Sequence, residues 1–352
     1  MGTISIARGA LLVALAALGA GGAWAQADPL AAADKLTGEA RTRALVEGAK
    51  KEGEVMVYHS SQTDDLKPVF DAFTAKYGIR VRDWRSSSEN VVQRVISETR
   101  AKKRDVDLIE NNAPEMEALR RENMLRTMNS PHFADMRPGT LGAHRTYATS
   151  TIDVFVQAYN TDKVKKSELP KRFEDLADPR WRDRLGVEAE DFAWFGTLAN
   201  AIGRDKTIST WREIVGKNGV SIRKGHTLLT QLVQSGEVPL GLTVYNYKPM
   251  QLKEKGGNID YIVLQPAIGQ LHAVAVHNQA SHPFAATLLY DFFLGEGQQL
   301  LASKKFVPSS SKVPSPLGDT PVKYIDPAEA LDNQDAWRKE FDDLFIRRPG
   351  RP

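Results

Sequence analysis

Residues 54–81 read EVMVYHSSQTDDLKPVFDAFTAKYGIRV, and this stretch decides the fold class. EVMVYHS is an apolar-rich run of strand length. LKPVFDAFTAKYG then repeats Leu66, Val69, Phe70, Phe73 and Tyr77 at helical spacing and stops at Gly78. IRVRDW follows as a second strand. The same alternation continues: SSSENVVQRVISETRAK opens on serines and runs as a helix, VDLIE is a third strand, and PEMEALRREN a third helix. Strand and helix in alternation predict a mostly parallel sheet covered by helices.

Further along, TIDVFVQAYNTD (151–162) is a β-rich run that stands apart from the alternation. LGVEAE, GVSIRK and VPLGLTVY are strands with helices between them, and YIVLQP and HAVAVH are late strands. SHPFAATLLYDFFLGEGQQLLAS is a long amphipathic helix with a break at Gly295. The tail after Phe306 is rich in Pro and Ser, then charged. The α/β pattern thus occurs twice, with extended segments near 150–160 and 258–266 where the chain crosses between halves.

The chain begins MGTISIARGALLVALAALGAGGAWAQADPL. Arg8, an apolar run from Ala10 to Leu18, and the small-residue end Ala23-Trp24-Ala25 have the order of a secretory signal, with cleavage expected after Ala25. The apolar core is shorter than the roughly 20 residues of a membrane span. There is no cysteine among the 352 residues, so an exported form relies on its cores rather than on disulfides. The formal charge is +3. Acids and bases are mixed without a basic stripe, which argues against nucleic-acid binding.

Four stretches carry a resemblance to the periplasmic solute-binding proteins of ABC importers, specifically the ferric-iron-type branch. They are EVMVYHSSQTDDLKPVFDAFTAKYGIRV, AYNTDKVKKSELPKRFEDLADPRWRDRLGV, VQSGEVPLGLTVYNY and HAVAVHNQASHPFAATLLYDFFLGEGQQLL. The resemblance covers nearly the whole chain after the leader. It implies an α/β, two-lobe periplasmic-binding-protein fold with crossover hinge strands and an interlobe ligand cleft. The expected division is a signal peptide at 1–25, a lead-in at 26–53, lobe 1 at 54–155, lobe 2 at 156–262, a return to lobe 1 at 263–320, and a C-terminal tail at 321–352. It also implies a monomeric receptor in the periplasm that closes on a small solute and hands it to an inner-membrane ABC permease. It has no cofactor of its own; Fe3+ enters only as the transported ligand.

In open α/β sheets, ligands gather outside the carboxyl ends of the strands, so three loops matter: YHSSQTD, IENN and YNY. A ferric site takes carboxylate and phenolate oxygens, sometimes with an imidazole. The family's sites use a histidine from the early loop, a glutamate after the third strand and two adjacent tyrosines. Carried over, Glu110 falls at the glutamate and Tyr247 at the second tyrosine, while Asn246 occupies the first and Gln62 the histidine position. His59, three residues before Gln62, and Tyr245, beside Asn246, are the substitutes. Tyr245 and Tyr247 share a side if the strand continues; otherwise they are packing residues.

Other features suit an organic or anionic solute. Ser60, Ser61 and Gln62 precede one helix and Ser87 another; their hydroxyls and the free backbone N–H groups there meet anion oxygens or serve as N-caps. Trp194, in EDFAWFG, either stacks on a solute or fills the core. Arg223, Lys224 and His226 precede TLLTQLVQ, a basic helix start. Ferric iron, bare or with a small anion, is the first expectation for the solute. A small organic acid, a phosphonate or a sugar phosphate is the alternative. An exported hydrolase and a signalling receptor are readings of other classes. There is no cysteine nucleophile, no G-x-S-x-G elbow and no H-E-x-x-H helix.

Overall fold

A computed structural model describes residues 28–347; the expected leader and its cleavage after Ala25 lie outside the described residues. The strands are β1 (Glu54–His59), β2 (Arg80–Arg85), β3 (Leu108–Asn112), β4 (Ala148–Asn160), β5 (Leu185–Glu188), β6 (Ser221–Arg223), β7 (Leu240–Tyr245), β8 (Ile259–Ile262), β9 (Ala267–Val276), β10 (Val307–Pro308) and β11 (Val322–Tyr324). The helices are α1 (Gly38–Glu52), α2 (Thr63–Tyr77), α3 (Ser88–Arg100), α4 (Ala113–Arg121), α5 (Phe192–Ile202), α6 (Arg204–Asn218), α7 (His226–Ser235), α8 (Tyr247–Glu254), α9 (Pro283–Leu294), α10 (Gly297–Ser303), α11 (Pro327–Asp332) and α12 (Gln334–Phe341).

The strands hydrogen-bond in the order β2-β1-β3-β9-β4-β7-β5-β6. In one half β1 runs parallel to β2 and β3; in the other β5 runs parallel to β6 and β7. Between them β4 and β9 pair antiparallel and are buried along their whole length. They are the two spans shared by both halves. The second crossing therefore lies later than the 258–266 expected. The reason is local: 259–262 stays in the second half as β8, paired with β4, and β9 starts only after Pro266. The third strand also runs two residues further than VDLIE, and α4 follows it without a loop. α2 ends where Gly78 takes a left-handed φ of 73°, a conformation that glycine adopts without penalty. The break at Gly295 separates α9 from α10.

The apolar residues gather into three cores. One lies where α1, α2 and α9 cover the first half, and a second under α3, α4 and α7. The third fills the far half around Trp181, Trp194 and Trp211 and includes Trp337, Phe341 and Phe345. The Pro- and Ser-rich, then charged tail is thus a structured part of the molecule. α11 packs on α4 in the first half and α12 on α5 in the second. Apolar residues every three to four positions in DAWRKEFDDLF give α12 one buried face.

Candidate solute-binding cleft

The carboxyl ends of β1, β2, β3, β5 and β7 open onto one cleft of about 790 Å³ between the halves. Strand register builds its first wall. His59 pairs with Glu110 and with Arg85 across neighbouring strands, so the ends of β1, β3 and β2 stand side by side. The floor is the β4–β9 pair, where Asp153 lies opposite Gln270, and His272 lies opposite Thr151. All three of Asp153, Gln270 and His272 line the cleft.

Of the residues singled out in the sequence, Ser60, Ser61, Gln62, Ser87, Trp194, Tyr245 and Tyr247 all line this cleft. Several also carry structural duties. The Ser87 hydroxyl accepts from the Asn90 N–H at 3.4 Å and caps α3. The Ser61 hydroxyl donates to Glu110 Oε1 at 2.7 Å, and Ser60 Oγ lies 3.1 Å from His272 Nε2. Trp194 packs edge-on to Trp211 in the second-half core, fully buried beneath the cleft wall.

Glu110 and His59 stand behind that wall. His59 Nδ1 is 3.0 Å from the Ser61 carbonyl and Nε2 is 3.0 Å from Asp83, so both ring nitrogens are engaged. Glu110 Oε1 is 2.6 Å from His272 Nδ1. Burial disfavours the Glu110 carboxylate, but the His272 charge outweighs it and holds the group below its ordinary range. Burial likewise disfavours a charged His272, yet Glu110 pushes it up to about 9. The two form a buried ion pair with His272 as its cleft-facing member.

The tyrosine stretch is not a continued strand. β7 ends at Tyr245 and α8 begins at Tyr247, because Asn246 turns into helical φ and ψ. Both rings still reach the cleft, stacked at a 6.3 Å centroid distance. Tyr247 lies also against Phe306 at 4.1 Å. Burial, then neighbouring acids, push both phenols well above their ordinary range. Asn246 is itself fully buried: its Oδ1 accepts from the Val154 N–H at 3.0 Å and its Nδ2 donates to the Lys305 carbonyl at 2.9 Å. Asn246→Ala would orphan both, and we expect a loss of about 2–3 kcal/mol in urea unfolding. A loss within 0.5 kcal/mol, roughly the scatter of neutral surface changes, would show that these bonds do not matter.

Sequence reasoning did not single out Asp153, Glu115, Glu188 or His272. Asp153 Oδ1 and Glu115 Oε2 have no hydrogen-bond partner among the described residues. Burial pushes each carboxyl up to about 7. Arg85, at the end of β2, lines the first-half wall with no ion-pair partner among the described residues. Charges are mixed on both sides of the cleft: the serines, the starts of α2 and α3, Arg85 and Glu115 come from the first half, and Glu188, Asp191, Lys224 and the two phenols from the second, with Asp153 on the floor between them.

Two α/β halves sharing two long strands around a cleft between them define a two-lobe solute-binding protein. The chain belongs to the bacterial extracellular solute-binding protein family, whose model matches residues 106–333. It is 24% identical over 197 residues to the "Fe(3+)-binding periplasmic protein" of Serratia marcescens, covering 55% of this chain and 57% of that protein. It is 22% identical over 207 residues to the "Major ferric iron-binding protein" of Neisseria gonorrhoeae, covering 58% of this chain and 62% of that one. The match thus spans under two thirds of the length of these curated relatives. Iron-bound HitA from Pseudomonas aeruginosa superposes with a TM-score of 0.71 at 20% identity, over 82% of this chain and 99% of that one. AfuA from Actinobacillus pleuropneumoniae, with fructose-6-phosphate bound, gives 0.72 at 19% identity, over 84% of this chain and 100% of that one. At these identities the structural likeness speaks to fold alone. Among the described residues no helix is long and apolar enough to cross a membrane.

Proposed function

We propose that the chain is the periplasmic receptor of an ABC importer, a monomer that closes on ferric iron with a small anion and presents it to an inner-membrane permease. In this reading lobe 1 comprises 54–155 and 263–320, lobe 2 comprises 156–262, and 321–352 is a C-terminal tail whose helices α11 and α12 pack on lobe 1 and lobe 2 respectively. It binds its solute without changing it. The observation that carries the reading is the stacked Tyr245–Tyr247 pair facing the cleft beside the unpartnered carboxylate of Asp153. Phenolate and carboxylate are the hard oxygen donors a ferric ion prefers. Burial holds the phenol protons tightly, so a strongly polarising cation is needed to displace them. The accompanying anion would sit at the starts of α2 and α3, near Arg85. The ferric-binding relatives support the cargo; the positions of His59 and Glu110 move its ligand set toward lobe 2.

The mixed lining of helix starts, hydroxyls and buried carboxyls also favours a second reading, a phosphorylated or carboxylated polyol. Its anion would take the same helix starts and its hydroxyls would donate to Asp153 and Glu115. Stripped protein titrated with ferric citrate separates the two. Iron cargo gives one Fe3+ per chain, a visible phenolate-to-iron band, and at a hundred times the dissociation constant about 2.7 kcal/mol of stabilisation. Tyr247→Phe should bleach the band and weaken binding more than about tenfold. Stabilisation by sugar phosphates or small organic acids, with no band and no iron bound, would replace the first reading by the second.

A further inference from the structure

We propose that Glu188, Asp191 and His226 form a separate site for a first-row divalent transition-metal ion, Zn2+ or Mn2+, set in the lobe-2 wall with its remaining coordination positions open to the cleft. The inference does not depend on which solute the cleft carries.

Three loops at the carboxyl ends of lobe-2 strands bring these residues together. Glu188 ends β5, Asp191 is the residue before α5, and His226 opens α7. One donor atom from each lies within 4.8 Å of the others. Gly225 makes the approach possible: at φ 103° it turns the chain into α7 and donates its N–H to Glu188 Oε1 at 2.7 Å. Glu188 Oε2 accepts from the Glu190 N–H at 2.6 Å. Those two bonds orient the carboxylate and leave lone pairs free, since each oxygen has two.

His226 shows which way its own lone pair points. Its Nδ1 is 3.1 Å from the Thr243 carbonyl. A carbonyl only accepts, so Nδ1 carries the proton and Nε2 is the acceptor in the neutral ring. Nε2 lies 3.4 Å from Asp191 Oδ1, so its lone pair faces that carboxyl group. A backbone carbonyl holding one imidazole nitrogen while the other is free is the arrangement by which proteins orient a metal-binding histidine.

Asp191 supplies the independent sign of a missing partner. It is 6% exposed, lines the cleft, and its Oδ2 has no hydrogen-bond partner among the described residues. Nor does the protein bring a compensating cation. Among the described residues neither Glu188 nor Asp191 has a Lys or Arg partner. The bases nearby are committed to Glu190, with Arg338 at 2.6 Å and Lys224 at 3.5 Å. Two buried carboxylates and one imidazole lone pair thus converge with no Lys or Arg among the described residues to compensate them. One nitrogen and two carboxylate oxygens suit Zn2+ or Mn2+ better than the softer ions that need thiolate.

The test uses chelator-stripped full chain without added solute. Mn2+ binding is read by electron paramagnetic resonance and Zn2+ by calorimetry. We expect one ion per chain, with Zn2+ bound more tightly than Mn2+ as the usual affinity order requires. Asp191→Asn and His226→Gln should each weaken binding by more than about tenfold. Glu188→Gln, whose amide oxygen still accepts from a backbone N–H, is the companion variant if either of these fails to fold. No saturable binding of either ion, or binding unchanged in the folded variants, overturns the proposal. The iron reading is judged separately by the phenolate band and Tyr247→Phe, so either can fail alone.

Discussion

Glu110→Gln is expected to cost about 3–5 kcal/mol of folding stability, because it strands a charged His272 inside the hinge. The pair is buried, with only the His272 edge reaching the cleft: Glu110 is 2% exposed and His272 4%. Its contact is 2.6 Å, and Ser60 and Ser61 hold its outer atoms. The pH dependence follows from the two shifts. His272 is raised from 6.5 to about 9, so its contribution is complete below the unfolded value and fades as pH rises through about 9. Glu110 is lowered from 4.5, so its contribution is complete above that value and fades as acid protonates it in the folded state. The stability gap between the parent and Glu110→Gln should therefore be widest near pH 5–6 and narrow by pH 9. Urea midpoints taken across that range test it. A gap that stays constant or widens toward alkaline pH would mean that His272 is neutral and the ion pair is not what stabilises the hinge. The same substitution changes the floor of the cleft, since His272 also faces the solute, so solute affinity should fall with stability.

The frame of the molecule was legible because local pattern and global fold agree there. Residues 54–121 alternate period-two and helical runs with stops at Gly78 and serine-started helices, and each became the element expected. The tyrosines were legible as cleft residues by their place after a lobe-2 strand, although the strand ends at Tyr245 and it is the start of α8 that aims Tyr247. The rest of the site depends on register, which no local pattern encodes. His272 meets Glu110 only because β9 lies antiparallel to β3, and Asp153 reaches the floor only because β4 pairs with β9. A signal did exist. In TIDVFVQAY and GQLHAVAV a single ionisable residue interrupts a strand apolar on both faces, where a charge is costly unless it has a task. Glu188, Asp191 and His226 offered less: they come from three loops, and His226 alone reads as a helix-start base. The C-terminal helices were obscured by composition, since QDAWRKEFDD is mostly charged and only Trp337 and Phe341 mark its buried face.

Trp337→Ala should be the most damaging change outside the cleft, at about 3–5 kcal/mol. Trp337 is 1% exposed and sits in the lobe-2 core with Phe195, Phe341 and Phe345. The core is shaped for it: Gly196 in α5 faces the indole so closely that a Cβ there would overlap the ring. Truncation would leave a void that α5 cannot fill, because its neighbours are already engaged, Trp194 against Trp211 and Phe195 against Phe341 and Phe345. The consequence extends beyond lobe 2. α12 follows α11 after the single residue Asn333, α11 lies on α4, and Asp332 bonds Arg121 of lobe 1 at 2.5 Å while Arg338 bonds Glu190 of lobe 2 at 2.6 Å. These two helices also put Leu331, Gln334 and Arg338 on the cleft rim. Loosening α12 should therefore lower both the urea midpoint and the affinity for the solute. Arg338→Ala removes only a half-exposed pair and should cost no more than about 1 kcal/mol. If Trp337→Ala were as mild as Arg338→Ala, the C-terminal helices would be an appendage. They would not then be part of the cooperative unit that frames the cleft.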